Sequence, residues 1–331
     1  SISAIIRASA IPVLVDSDQT LGIDPKDLKE KISERTKVIM VIPMLGGVSK
    51  IGEIMEVVRK VNNSRLQNNL TKIFVLEDCA QSLGAHAFGI PGSSEINLPE
   101  GSYKLGTFGD IGTFSLQINK DITSGEGGMV VTRDGELHKK IDALHNAGYI
   151  KKEKNNINWY GDIPYGWGHG RRMSELQGAV ARVQLKKLDS ILDNIRKNHS
   201  FFEEFFKKQG IKLRKRAYQN NPGDTGYYLC FHLPENLDDN TAISKGREIA
   251  KDLKDKGFNV WFLHDFEVHI YYNIEPLVKK FPMNDGSPWE DPKNNFQTQY
   301  NYDRGALPNL DHLLIRTIGI NMPSKMSDNT R

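Results

Sequence analysis

Apolar residues fall along this chain in two alternating rhythms. Short runs rich in β-branched side chains predict strands over 11–15, 38–42 and 72–76. Between them, apolar positions recur every three or four residues: Ile51, Ile54, Met55, Val58 and Val61 predict an amphipathic helix over 50–62. Asp24 and Pro25 supply an N-cap followed by proline at the first helical position, which predicts a helix over 26–32. Strand and helix in alternation, with strands apolar on both faces, imply an α/β fold around a mostly parallel sheet covered on both sides. Ligands of such sheets gather at the carboxyl ends of the strands. Asp78 follows the third run, and Ser115 and Gln117 close the apolar segment 111–116, so all three are expected at that rim.

The second half reads differently. A long helical pattern over 174–209, with Leu176, Val180, Val183 and Leu188 on one side, leads out of the first domain. Expected strands over 226–233 and 259–263 then flank a helix over 242–256, which describes a smaller α+β domain. The division is expected at 185/186, giving a large domain over 1–185 and a small one over 186–331. Residues 284–305, rich in Asn, Asp, Gly and Pro, are expected to be mostly loop.

Composition narrows the functional classes. A chain of 331 residues suffices for two domains. Its 44 basic and 41 acidic side chains leave a net charge of only +3, which points away from nucleic-acid and membrane-surface binding. The run Lys151, Lys152, Lys154 lies among Asn residues and reads as a solvated loop. Cys79 and Cys230 stand far apart, so a disulfide framework is not expected and a reducing, cytoplasmic setting is. No stretch approaches the ~18 apolar residues of a membrane span.

Candidate chemistry concentrates between Phe114 and Gly128. Lys120 follows a buried strand and precedes a loop holding Gly125, Gly127 and Gly128. Partial desolvation there would favour a neutral amine able to form a Schiff base. On spacing alone, the commoner reading of such a lysine is a surface residue in a turn, and the glycines equally make a bulge. Asp78 at a strand end could keep a pyridine nitrogen protonated or simply cap the turn that follows. Gln81 could donate to a ring oxygen or be an ordinary exposed amide. His264 and His269 flank acidic residues but match no zinc spacing, so no metal site is expected.

Taken together, Glu77-Asp78-Cys79-Ala80-Gln81-Ser82-Leu83-Gly84-Ala85, Gly109-Asp110-Ile111-Gly112-Thr113-Phe114-Ser115, Lys120, Gly125-Glu126-Gly127-Gly128 and Arg172-Met173-Ser174-Glu175-Leu176-Gln177 resemble the DegT/DnrJ/EryC1/StrS aminotransferases. The resemblance covers nearly the whole chain. It implies a fold-type-I enzyme dependent on pyridoxal 5'-phosphate (PLP), aminating a keto-sugar with glutamate or glutamine as amino donor, and acting as a homodimer. It implies that Lys120 carries the cofactor as a Schiff base and shuttles the proton at the substrate carbon. Asp78 would pair with the pyridine nitrogen, Gln81 with the ring hydroxyl and Ser115 with the phosphate. Gln117, Arg172 and Arg316 are the expected substrate contacts, although a salt bridge within the small domain is an equal reading of Arg316. One branch of the family replaces the lysine by histidine and dehydrates its substrate, so Lys120 favours transamination. The residues around Gln117 to Lys120 and Glu175 to Val180 are similar to a branch that aminates an eight-carbon keto-sugar acid.

Departures from the family pattern qualify this expectation. The chain opens downstream of a Ser-Gly-Thr-like turn that binds the cofactor phosphate in relatives, and stops before their last helix, so truncation at both ends is expected. Gly170 stands where the family usually has an asparagine that reaches the neighbouring subunit's phosphate. The competing expectation is a relative that binds PLP, or regulates, without turnover.

Overall fold

The computed structural model describes residues 1–92, 99–150, 164–218, 223–294 and 299–326. Lys151, Lys152 and Lys154 lie outside them. The chain begins with a short helix α1 (Ile2–Arg7), then α2 (Pro25–Lys31), β1 (Val38–Val41), α3 (Ile51–Gln67) and β2 (Phe74–Asp78). A hairpin of β3 (His86–Gly89) and β4 (Gly101–Lys104) precedes β5 (Ile111–Ser115), β6 (Gly128–Val131) and α4 (Gly135–His145). Helices α5 (Glu175–Leu185) and α6 (Leu188–Lys208) lead to β7 (Lys212–Leu213), β8 (Tyr228–His232), α7 (Asp239–Asp255) and β9 (Val260–Phe262). Two short helices, α8 (Glu275–Val278) and α9 (Pro308–Leu314), precede the last strand, β10 (Thr317–Asn321).

Besides the two-stranded β3-β4 pair, two four-stranded sheets result, each with its own core. In the first, of order β1-β2-β5-β6, the first three strands run parallel and β6 returns antiparallel to β5. Ile51, Ile54, Met55 and Val58 of α3 are fully buried against Val41 and Val75. Burying each such side chain contributes roughly 1.5–3 kcal/mol. The second sheet, of order β7-β8-β10-β9, is antiparallel throughout. Ile195 of α6 and Ala242 and Ala250 of α7 cover its buried Leu229, Phe231, Ile318 and Ile320.

Capping explains where several helices start. Asp24 accepts from Lys26 N at the head of α2, as its sequence position predicts. Ser174 and Gln177 form a reciprocal capping box at the head of α5. Most expected elements are present with ends shifted by one to five residues, the largest extension being α3, which runs on to Gln67.

Two expectations are corrected. Residues 11–15 form no strand: Pro12 has no N–H for a ladder, and its carbonyl instead accepts from the Tyr302 hydroxyl at 2.6 Å. Asp16 then takes the N–H groups of Asn309 and Leu310 at 3.0 and 2.9 Å, tying the segment to α9. The long helix over 174–209 is two helices, broken at Lys186 and Lys187, neither of which caps with its side chain. The apolar stripe divides with it, since Leu188 is buried while Leu176 is 81% exposed.

Candidate active site

The carboxyl end of the first sheet gathers most of the residues picked out above. Strands β2 and β5 are parallel neighbours in a register that sets Asp78 beside Thr113. Asp78 therefore ends β2 at the level where β5 is two residues from Ser115. The loop after Ser115 carries Lys120, so both groups emerge at one rim of the sheet.

The geometry of this rim is held from below by Glu77. Its side chain is fully buried and accepts three backbone N–H groups, from Gly106, Phe108 and Gly109, each at 2.8 Å. Burial pushes its carboxyl up, and the three donors pull it part of the way back. The turn so fixed lies against β5 closely enough that a Cβ on Gly112 would meet the Gly106 carbonyl oxygen at 2.1 Å. Glycine is required there.

Asp78 itself is half-buried. Its Oδ2 accepts from the Ser1 hydroxyl at 2.6 Å and its Oδ1 from the Ala80 N–H at 3.3 Å. Gln81 accepts from the Leu45 N–H through Oε1 at 2.8 Å, so its amide NH₂ is the end left to donate. Ser115 accepts from the Gln117 N–H at 3.3 Å, which leaves its hydroxyl proton available.

The lysine loop is built from its own polar residues. Lys120 N donates to Gln117 O (3.0 Å), and Gln117 Oε1 accepts from Asn119 N (2.8 Å). Leu116 O accepts from both Ser124 N (3.0 Å) and Thr123 Oγ1 (2.9 Å). Leu116 and Ile122 are buried together with Leu188 and Leu192 of α6, which anchors the loop on both sides of the lysine. From the residue just before β8, the Tyr227 hydroxyl donates to Asn119 O at 2.8 Å. Among the described residues nothing hydrogen-bonds or ion-pairs with the Lys120 amine. It is half-buried and unclaimed.

The expected substrate contacts divide. Gln117 lies within the lysine loop. Arg172 is exposed on the segment leading into α5, whose neighbour Met173 packs beside Leu116 and Ile122. Gln177 reaches across to Glu126 O at 3.1 Å, fastening α5 to the same loop. Arg316 follows the salt-bridge reading of the two that its sequence left open. It is 4% exposed and bound to Asp239 Oδ1 (3.3 and 3.4 Å) and the Leu237 carbonyl (2.6 Å), all within the second sheet's unit. Its two terminal NH₂ groups are engaged there, while Nε is buried with no partner among the described residues.

A second cleft, of about 410 Å³, is lined by Asp18, Lys212, His232, Glu235 and His312 among others. Several of its charges already pair: Glu235 holds Lys212 and His312, and Asp18 holds Lys50. It brings together none of the groups at the rim of the first sheet. Nor do the described residues hold a group of three or more side chains fit for a metal ion; His264 bonds to Asp265, itself clamped by Arg247.

Sequence reasoning missed two acidic residues here. Glu77 was legible as a charge at the end of an apolar run. Asp121 was legible only as the residue after Lys120, yet its Oδ1 is buried without a hydrogen-bond partner among the described residues.

Comparison with known proteins gives this arrangement a context. Residues 1–281 match the model of the DegT/DnrJ/EryC1/StrS aminotransferase family. The chain is 34% identical over 197 residues to GDP-perosamine synthase of Escherichia coli O157:H7, covering 59% of this chain and 46% of that protein. It is 29% identical over 245 residues to an L-glutamine:2-deoxy-scyllo-inosose aminotransferase of Streptoalloteichus tenebrarius, covering 71% and 51%. The chain thus spans about half the length of these curated relatives. Among solved structures, Helicobacter pylori PseC, an aminotransferase involved in the biosynthesis of pseudoaminic acid, superposes with a TM-score of 0.69 at 19% identity, over 99% of this chain and 72% of that one. Other structures of the same fold are PLP-bound forms. At such identities the likeness shows the fold, which is the fold-type-I α/β architecture.

Proposed function

The chain belongs to the DegT/DnrJ/EryC1/StrS aminotransferase family, and on that premise we propose that it serves a PLP-dependent transamination of a keto-sugar, either nucleotide-linked or a keto-sugar acid. Glutamate or glutamine would be the amino donor. The observation that carries the reading is that Asp78 ends β2 while Lys120, its amine unclaimed among the described residues, lies in the loop that follows the parallel neighbour β5.

The residues present fit the cofactor. PLP, when bound, withdraws electrons from the carbon that gains or loses the amine. Asp78 would hold a proton on the pyridine nitrogen, with Ala80 N–H and the Ser1 hydroxyl steadying its two oxygens. Gln81, its oxygen committed to Leu45, would present its NH₂ to the ring hydroxyl. Ser115 would donate its hydroxyl to the phosphate. Lys120 would bind the cofactor covalently and carry the proton at the reacting carbon. Gln117, within the loop, and Arg172, on the segment leading into α5, would contact the substrate.

Two further readings accompany this one. The domain boundary falls at 185/186, supported by the helix break at Lys186 and Lys187 and by the separate cores of the two sheets. The partner is a second copy of the chain. Trp167 (89% exposed), Leu176, Val180 and Val183 present apolar surface around α5, which a second copy would cover.

The test is optical. Protein mixed with PLP should develop the visible absorbance of a lysine-bound cofactor, lose it on addition of glutamate or glutamine, and regain it with a keto-sugar acceptor. Protein that stays colourless with PLP contradicts the reading. Colour that neither amino donor discharges supports a binding role without turnover instead.

A further inference from the structure

With no partner on its amine among the described residues, Lys120 is placed by the backbone it hangs from. That backbone is the turn 117–120. The peptide unit joining Asn119 to Lys120 is planar, so holding its two polar ends fixes the point at which the side chain leaves. One end is held locally, where Lys120 N–H donates to Gln117 O at 3.0 Å. The other is held from far along the chain, where Asn119 O accepts from the Tyr227 hydroxyl at 2.8 Å. Among the described residues this is the one hydrogen bond that reaches the turn from outside the segment 115–128.

Tyr227 is itself anchored. Its carbonyl accepts from Met322 N at 2.9 Å, just past β10, and its N–H donates to Thr225 Oγ1 at 3.3 Å. Its ring stands edge-on to that of Tyr228, with centroids 4.9 Å apart. Burial, followed by the nearby Asp121 charge, pushes the phenol up, so it remains a neutral O–H donor. Thr225, two residues earlier, reaches another part of the site. Its N–H donates to Gly46 O at 2.9 Å, in the turn whose Leu45 N–H holds Gln81 Oε1 at 2.8 Å. Leu45 and Gly46 both have positive φ, 56° and 71°. A Cβ on Gly46 would meet Thr225 Oγ1 at 2.5 Å and Tyr227 Cβ at 2.7 Å. Residues 225–227 therefore bond at once to the turn that holds Gln81 and to the peptide that carries Lys120.

We propose that Tyr227 is a positioning residue acting through Lys120: its hydroxyl fixes the Asn119–Lys120 peptide and, with Thr225, sets the spacing between Lys120 and Gln81. Its use in transamination rests on the reading of Lys120 and Gln81 given above. No covalent bond forms or breaks at Tyr227. It supplies orientation, and the orientation of a reacting group acts on rate. Removing the hydroxyl frees one end of the peptide and leaves the other bonded to Gln117. The lysine then still binds PLP but reacts more slowly.

The experiment compares the full chain with Tyr227→Phe and Tyr228→Phe. Both phenols lie beside the Asn321 side chain, but among the described residues only Tyr227 hydrogen-bonds to the lysine loop. Without cofactor, solvent exchange of the Lys120 amide N–H, read by NMR, should quicken roughly three- to tenfold in Tyr227→Phe. With PLP bound, the maximum rate at which glutamate or glutamine discharges the colour should fall by a similar factor, with the half-saturating donor concentration unchanged. Tyr228→Phe should match the parent in both. Parental exchange or a parental rate in Tyr227→Phe overturns the proposal, as does an equal change in both variants. Should Tyr227→Phe fail to fold by circular dichroism, replacement of Tyr227 by 3,5-difluorotyrosine decides. Its phenol ionises at lower pH than that of tyrosine and then has no O–H to give. Both readouts should change across that ionisation, and readouts indifferent to it overturn the proposal. Parent protein that takes up no PLP sinks the cofactor reading instead, and the amide exchange alone then decides the grip on Lys120.

Discussion

Two acidic side chains at the rim of the first sheet are buried to similar ends by opposite means. Glu77 is surrounded by the N–H groups of Gly106, Phe108 and Gly109, and so fixes a turn that β5 then packs against. Asp121, next in the chain to Lys120, is only partly buried, and its buried Oδ1 has no hydrogen-bond partner among the described residues. Burial raises both carboxyls. What differs is whether backbone donors hold the charge in place. The first arrangement makes a rigid floor; the second leaves a group free to gain and lose a proton.

The largest way to break this contrast is to empty the Glu77 cradle. Glu77→Leu orphans three buried N–H groups and should destabilise the protein by about 3 kcal/mol or more in chemical denaturation; a loss within about 0.5 kcal/mol would mean the turn is held by something else. Asp121 should behave in the reverse sense. Because its folded-state carboxyl is raised from 3.8 to about 6, ionising it costs stability. That penalty is absent below the unfolded value and is complete above the folded one. Asp121→Asn should therefore be more stable than the parent at pH 8, by on the order of 2–3 kcal/mol, and no more stable at pH 4.

Glu203 sharpens the comparison from the other side. Bonding to His199, with Lys207 and Arg216 close by, holds its carboxyl down at about 2 despite burial. Its contribution should be present above the unfolded value and fade as pH falls from about 4.5 towards 2. Solvent reaches this group, so Glu203→Gln should cost only about 1 kcal/mol at pH 7, and the gap to the parent should close on acidification. The exposed Glu56–Lys60 pair on α3 is the floor of the series. Glu56→Gln should leave the Tm unchanged.

Much of this was readable in the sequence because it depends on local chemistry. Ile51, Ile54, Met55 and Val58 recur with helical period, and Asp24 with Pro25 opens a helix wherever it stands. The parallel sheet followed from apolar runs alternating with such helices, and Asp78 and Lys120 from motifs that end or follow strands. Where local pattern did not decide, a distant partner did. Pro12 looked like part of a strand until Tyr302 took its carbonyl. Arg316 had two equal readings, and Asp239 and Leu237, about eighty positions away in the chain, bind its guanidinium. Asp121 differs because what marks it is a missing partner, and no local pattern announces that.

The account stands most directly on the lysine. Full-length protein incubated with PLP, reduced with borohydride and digested should yield one modified peptide, with the pyridoxyl mass on Lys120, and none from Lys120→Gln. A reduced adduct on another lysine, or no adduct on the parent protein, would contradict it.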